Sequence, residues 1–246
     1  MDRIIYTTMT GATAAAQRQA VLSNNLANVS TTGFRAELST FRAVPLDGQG
    51  STTRVFGLDA TSGHLDLPGP AITTGKATDV MARGNAWFAI QGLDGLEAYT
   101  RNGAFELTDQ GQLVTATGLP VLTDGGAPID VPQGAVVSFG ADGTVMATVP
   151  DQDPINVGRL KMVTPGADNP LTRSDDGLFR GPNGDPLPAD ANARLADGVL
   201  EGSNVNAVEA MVGMIAASRQ FEQQMKLLTT AEKNDQTASK LLSLNG

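Results

Sequence analysis

The sequence predicts an α+β protein, with long N- and C-terminal helices flanking a central, mainly antiparallel β domain. Three observations carry this. Residues 2–28 and 207–243 are almost free of Gly and Pro and place apolar residues three or four apart. The stretch between them is rich in Gly, Pro and short β-type runs. The 246 residues include 28 Gly and 13 Pro but only 4% aromatics, a mix that suits many turns and short strands better than a helical bundle.

The first helix is predicted over Asp2–Ala27. Ile5, Met9, Ala12, Ala16, Leu22 and Leu26 fall near one face, with a slip between Ala16 and Leu22. Gly11 weakens an isolated helix by about 1 kcal/mol relative to Ala, so the segment needs packing to be ordered. Its many small residues permit close approach of another helix. Asn28-Val29-Ser30-Thr31-Thr32-Gly33 ends it with turn formers, and Phe34 anchors the chain beyond.

The second helix is predicted over Ala207–Ser243. Asn206 is its N-cap, with Glu209 at the third helical position. Val208, Val212, Ile215, Phe221, Met225, Leu228, Ala231, Ala238 and Leu241 follow at heptad-like spacing, slipping near Ser218. At 1.5 Å per residue this helix is roughly 55 Å long, more than a small domain requires. Arg219 and Glu222 suit either an i,i+3 surface pair or a bridge between chains. An apolar helical face needs cover. The opposite terminus, in an intramolecular hairpin, and other copies of the chain are the two candidates, and periodicity leaves both open.

In the middle, Trp87–Gln91 is the strongest strand. Further strands are expected at 104–107, 112–115, 120–122, 129–131, 136–139, 145–149 and 159–164, with turns at Asp109-Gln110-Gly111 and Ala141-Asp142-Gly143. Residues 45–78 read as an extended arm and 165–198 as mostly loop.

Catalytic and ligand chemistry finds little purchase. Lys and Arg number 17 against 26 Asp and Glu, a net charge of −9 with no basic cluster, which argues against a nucleic-acid surface and against docking on anionic lipid. There is no Cys, and His64 is the only His, set in a loop-like SGHLD stretch without a nucleophile motif. Asp109, Asp124, Asp142, Asp175 and Asp176 lie in turn sequences and lack the spacing of a calcium loop. No catalytic residue, cofactor site or metal site is expected, and no apolar run approaches the roughly 18 residues of a membrane span. The N-terminus lacks a basic-then-apolar leader, so any export is expected to use a route other than general secretion.

Three separated stretches resemble the bacterial flagellar rod and hook family. Leu22-Ser23-Asn24-Asn25-Leu26-Ala27-Asn28-Val29-Ser30-Thr31-Thr32-Gly33-Phe34-Arg35 is similar to its N-terminal signature. Leu200-Glu201-Gly202-Ser203-Asn204-Val205-Asn206, continuing through Met214-Ile215, Arg219, Phe221-Glu222 and Lys226, is similar to the C-terminal one. Residues 79–90, 99–105 and 111–114 resemble its shared β segment, with Trp87-Phe88 where two phenylalanines are more usual and Arg83 where a smaller residue is. The start MDRIIYTTM and the segment GFRAELSTFRAVPL look most like the proximal-rod subunit, with the distal-rod subunit the nearest rival.

The resemblance implies a structural, non-enzymatic subunit that is exported by the flagellar type III apparatus without a cleaved signal and polymerises in the periplasm. Its terminal helices would form an inner coiled-coil layer around a channel, giving a hollow drive shaft between membrane ring and hook. In the free subunit those helices would be largely disordered. The implied partners are other copies, other proximal- and distal-rod proteins, and the membrane ring or export-gate base. The domains would be 1–35 (assembly helix and turn), 36–78 (extended arm), 79–198 (β domain) and 199–246 (assembly helix). Interface residues would be Ile5, Met9, Ala12, Leu22, Asn24, Asn25, Leu26, Asn28, Gly33, Phe34, Asn204, Asn206, Val208, Ile215, Arg219, Phe221, Met225 and Leu228. Asn24, Asn25 and Asn28 could equally be caps. A hook-type axial subunit and a periplasmic cell-wall-binding module are the alternatives.

Overall fold

A computed structural model describes residues 2–45, 55–166 and 168–244. Helix α1 spans Asp2–Ala27 and α2 spans Ala207–Leu244. Between them lie sixteen strands among the described residues. The first eight are β1 Glu37–Pro45, β2 Val55–His64, β3 Ala71–Thr73, β4 Val80–Ala82, β5 Trp87–Gln91, β6 Glu97–Thr100, β7 Phe105–Leu107 and β8 Leu113–Thr115. Then come β9 Val136–Phe139, β10 Thr144–Thr148, β11 Ile155–Arg159, β12 Met162–Val163, β13 Thr172–Arg173, β14 Phe179–Arg180, β15 Leu195–Asp197 and β16 Val199–Glu201. The α+β class and the antiparallel character of the middle are as expected, since every named strand pair is antiparallel.

The chain forms two compact units. The first holds Met1–Val29, Ala36–His64 and Val205–Gly246. In it α1 and α2 pack antiparallel. A Cβ on Gly213 would lie 3.1 Å from Leu22 Cδ1, and one on Gly11 would lie 3.0 Å from Gln224 Cδ, so facing positions sum to about 235. The seam follows strict alternation of three and four residues: Ile5, Thr8, Ala12, Ala15, Gln19, Leu22 and Leu26 are buried or half-buried. From α2 come Ala210, Ala217 and Ala231, with half-buried Met214, Gln224, Leu228 and Ala238 at the same period.

This seam is not the stripe expected from hydrophobicity. Met9 and Ala16 point outward, and Thr8, Ala15 and Gln19 take the inward places. The slip between Ala16 and Leu22 disappears once polar Thr8 and Gln19 are admitted to the seam. Thr8 can sit there because its hydroxyl donates to the Ile5 carbonyl at 2.9 Å, which removes an unsatisfied donor.

A β1–β2 ribbon completes the unit, with its register shifted between Thr40 and Phe41. Asn25 ties it to α1. Its amide donates to the Glu37 carbonyl at 2.9 Å and accepts from the Glu37 N–H at 2.8 Å, in the manner of a strand neighbour.

The second unit holds Ser30–Arg35 and Leu65–Asn204. Its largest sheet has the order β12-β5-β6-β14-β13, beside a β11-β10-β9 sheet and the pairs β7-β8, β15-β4 and β16-β3. Strand β5 is its spine. Phe88 and Ile90 enter one core with Phe105, Leu113, Ile129, Val145 and Leu160, while Trp87 and Ala89 enter another with Tyr99, Leu122, Val163 and Phe179. A strand covered on both faces carries no polar alternation, which is why Trp87–Ile90 reads as a continuous apolar run. Trp87 packs on Phe179 at 4.5 Å between ring centres, and Phe88 meets Phe105 edge-on at 5.3 Å. Each large side chain closed off in this way contributes about 1.5–3 kcal/mol.

Candidate functional site

The second unit is organised around one buried carboxylate. Glu201 ends β16, and its side chain is shut off from solvent. Its Oε1 receives Arg35 Nη1 at 2.5 Å and the Gly69 N–H at 2.9 Å. Its Oε2 receives Arg101 Nε at 2.8 Å and pairs with Nη2 at 2.7 Å. Arg101 also donates to the carbonyls of Ala86 and of Gly84, the latter at 3.0 Å. Both guanidinium carbons stand over Trp87, 5.7 and 5.8 Å from the ring centre, within cation–π reach.

Two cations thus share one anion in a dry site. Burial pulls Arg101 below its ordinary pKa, Glu201 opposes that, and neighbouring Arg35 adds to it. Guanidinium groups do not give up protons in proteins, and the carboxylate is fully engaged, so the cluster offers no acid, base or nucleophile. What it does is mechanical. Arg35, the Gly84–Arg101 segment and Glu201 come from the three stretches singled out in the sequence, and the cluster binds all three together.

Its surroundings explain several sequence-predicted residues. Gly33 has φ +69°, and a Cβ there would fall on the backbone of Arg101 and Asn102. Its N–H donates to the Glu201 carbonyl at 2.7 Å. Phe34 is buried, with the Arg173 guanidinium 4.7 Å from its ring centre. Asn204 donates to the Leu65 and Leu67 carbonyls, both at 2.8 Å, and its N–H to the Phe34 carbonyl at 3.3 Å.

The remaining predicted residues lie in the helical unit. Ile5, Ala12, Leu22, Leu26 and Leu228 belong to the seam, and Phe221 stands at its edge. Asn206 caps α2, its Oδ1 accepting from Val208 N at 3.1 Å and Glu209 N at 3.3 Å. Asn28 closes α1 through the Asn24 carbonyl, to which its backbone N–H donates at 3.1 Å and its side-chain Nδ2 at 2.9 Å. Asn24 reaches Glu37 Oε2 at 3.1 Å. Met9, Val208, Ile215, Arg219 and Met225 face outward. Val208 is 71% exposed and Ile215 55%, and with Met211 and Val212 they form an apolar stripe on the side of α2 away from Ala210 and Ala217.

The sequence reading did not single out Arg35, Arg101 or Glu201. The available signal was an ionisable residue inside each of three short stretches of apolar and small residues. Such a residue is exposed or paired, and position alone does not say which. Among the described residues there is no group of three or more metal-ligating side chains, and no described helix is long and apolar enough to cross a membrane.

Three family models match in chain order: a flagella basal body rod protein model at residues 5–35, the flagellar hook protein FlgE/F/G D1 domain at 81–147, and the flagellar basal body rod FlgEFG protein C-terminal model at 196–241. The chain is 45% identical to the flagellar basal-body rod protein FlgF of Salmonella typhimurium and 44% to that of Escherichia coli, with all of both chains covered in each case. It is 30% identical to the flagellar basal-body rod protein FlgG of Buchnera aphidicola, over 96% of this chain and 98% of that one. With its three signature stretches drawn together on Glu201 and full-length identity to rod proteins, the chain belongs to the bacterial flagellar basal-body rod family, on its proximal-rod branch.

Proposed function

We propose that this structural rod subunit assembles through its terminal helix pair, and that the stripe Val208, Met211, Val212 and Ile215 is where a neighbouring chain seats. The observation that carries the reading is the exposure of that stripe while the seam between α1 and α2 is already filled. Four large apolar side chains in a row on one helix face are unstable in water and acquire cover when chains associate. Contacts of this kind that do not close into a ring build a helical array. In the rod the helix layer surrounds a channel, and the shaft carries torque from the membrane ring toward the hook. Other copies and other rod proteins are its neighbours, and export runs through the flagellar type III apparatus into the periplasm.

The register of the helix pair supplies the test. Met9 is level with α2 position 226, so Ile215 lies eleven residues further along, about 16 Å at the helical rise. A disulfide requires Cα atoms within about 7 Å. Since the native chain has no Cys, a chain carrying Met9→Cys and Ile215→Cys can crosslink these positions only between copies. Multimers in isolated basal bodies, absent from cells lacking flagellar export, are the expected result. Loss of the crosslink in both preparations would overturn the reading.

A further inference from the structure

We infer that Met211 is an oxidation site that controls assembly: a peroxide converts its thioether to the sulfoxide, and the modified chain no longer seats a neighbour. The inference rests on the reading of Val208, Met211, Val212 and Ile215 as a surface that assembly covers, and it adds a chemical control to that surface.

The chain offers a peroxide few targets. It has no Cys, so its eight methionines carry the most readily oxidised sulfur. Their exposure differs sharply between the two units. Met162 is 1% exposed in the β core, and Met81 and Met146 are half-buried. Among the described residues the exposed methionines are Met9, Met211 and Met225, all on α1 and α2. Met214 is half-buried in the seam. Access of the oxidant therefore favours the helical unit.

Met211 differs from the other two in its surroundings. The residues three and four positions away along α2 are Ala207, Val208, Met214 and Ile215, and all are apolar. Met9 has Tyr6 and Thr13 at such positions, and Met225 has Glu222 and Thr229. A sulfoxide oxygen on Met211 thus finds no hydrogen-bond donor among these side chains and depends on water. Met211 is 51% exposed, so in the single chain water reaches it. A neighbour lying over the stripe would strip that water away, and burying a polar group without a partner is unfavourable. Oxidation leaves the folded chain intact and opposes its association.

The sulfur lone pair attacks one oxygen of hydrogen peroxide, the O–O bond breaks, and water leaves. Sulfur gives up two electrons and the peroxide takes them. A thiol-dependent sulfoxide reductase restores the thioether, two thiols becoming a disulfide as the oxygen departs as water. A covered Met211 is out of reach, so the control acts on chains that have not yet joined.

Peroxide treatment of the purified full-length chain, read by peptide mass spectrometry, should oxidise Met9, Met211 and Met225 ahead of Met162. In isolated basal bodies Met211 should be protected. Met211→Gln, polar as the sulfoxide is, should abolish swimming in soft agar while leaving the thermal midpoint of the purified protein unchanged. Met211→Leu, of similar volume and without sulfur, should swim as the native chain does. Equal oxidation of Met211 in free chain and basal bodies would overturn the inference, as would full motility of Met211→Gln. If Ile215→Asp is immotile in the same assay, the helix-mediated reading stands and only the oxidation site is lost. If Ile215→Asp swims as well, both fall together.

Discussion

Arg35 and Glu201 stand 166 positions apart, yet their side chains meet at 2.5 Å in a site closed to solvent. Removing one member of a buried pair leaves the other charge without compensation, at a cost of about 3–5 kcal/mol. Glu201→Ala strands two guanidinium groups, so it should lie at the upper end of that range. Arg35→Met should cost clearly less in the Glu201→Ala background than in the native chain, because its partner is already gone. Urea unfolding of the two single variants and the double variant measures this. Additive losses would show that the two residues do not act together.

Asn25 gives a more local prediction. Asn25→Ala removes both hydrogen bonds to the Glu37 backbone and leaves that residue's N–H and carbonyl to water. A loss of about 1–3 kcal/mol is expected. Amide hydrogen exchange should speed up at Glu37 while remaining unchanged at Phe88 and Ile90 in the other unit. Equal acceleration in both units would contradict this assignment.

Gly33 is irreplaceable for two separate reasons. Its φ is in the left-handed region, and a Cβ would overlap the Arg101–Asn102 backbone. Gly33→Ala should therefore destabilise by more than the roughly 1 kcal/mol of dihedral strain alone. It should also loosen the Arg35 contact, detectable as increased trypsin cleavage after Arg35. A variant as stable as the native chain would show that the connector can take another path.

Ile215→Asp separates folding from assembly. The side chain is exposed in the single chain, so stability should change by no more than about 0.5 kcal/mol. Cells relying on this variant should nevertheless lose swimming in soft agar. A motile variant would remove Ile215 from any interface.

The acid side of stability follows from carboxylates held below their ordinary value. Asp142 is lowered by hydrogen bonds from the Thr144 hydroxyl and N–H, and Asp190 by the Thr164 hydroxyl and the Asn192 N–H. A depressed folded pKa contributes stability that is complete above the unfolded value, near 3.8, and is lost as pH falls through the lower folded value. The thermal midpoint should thus be flat above about pH 5 and fall below about pH 4. Asp142→Asn with Asp190→Asn should flatten that fall, as followed by calorimetry across the range.

The helices and the spine strand were legible because each carries its information locally. Asp2–Ala27 and Trp87–Gln91 appear at the bounds expected, and Asn206 caps α2 as its position implied. The phase of the helices was not legible. Hydrophobicity favours Met9 over Thr8 for the seam, but the seam's alternation of three and four residues turns Thr8 inward, level with α2 near Leu228 and Ala231, and leaves Met9 outside. The β1–β2 ribbon was obscured for a related reason, since strands such as Glu37–Pro45, with Leu38 and Phe41 exposed, show no clean alternation. Glu201 illustrates the deeper limit: what makes it a centre is the company of Arg35 and Arg101, and no local pattern encodes contacts across such separations.

The seam between α1 and α2 also has a mechanical meaning. Ala12, Ala15, Ala210, Ala217 and Ala231 have no rotamers to exchange, so at these positions the contact between the helices lacks the usual means by which a packed interface creeps under load. Long side chains can yield to a twist by switching conformation one at a time. Methyl groups cannot, and at the alanine positions the two helices must transmit the strain. Along a helix pair, that is the difference between a stiff coupling and a soft one.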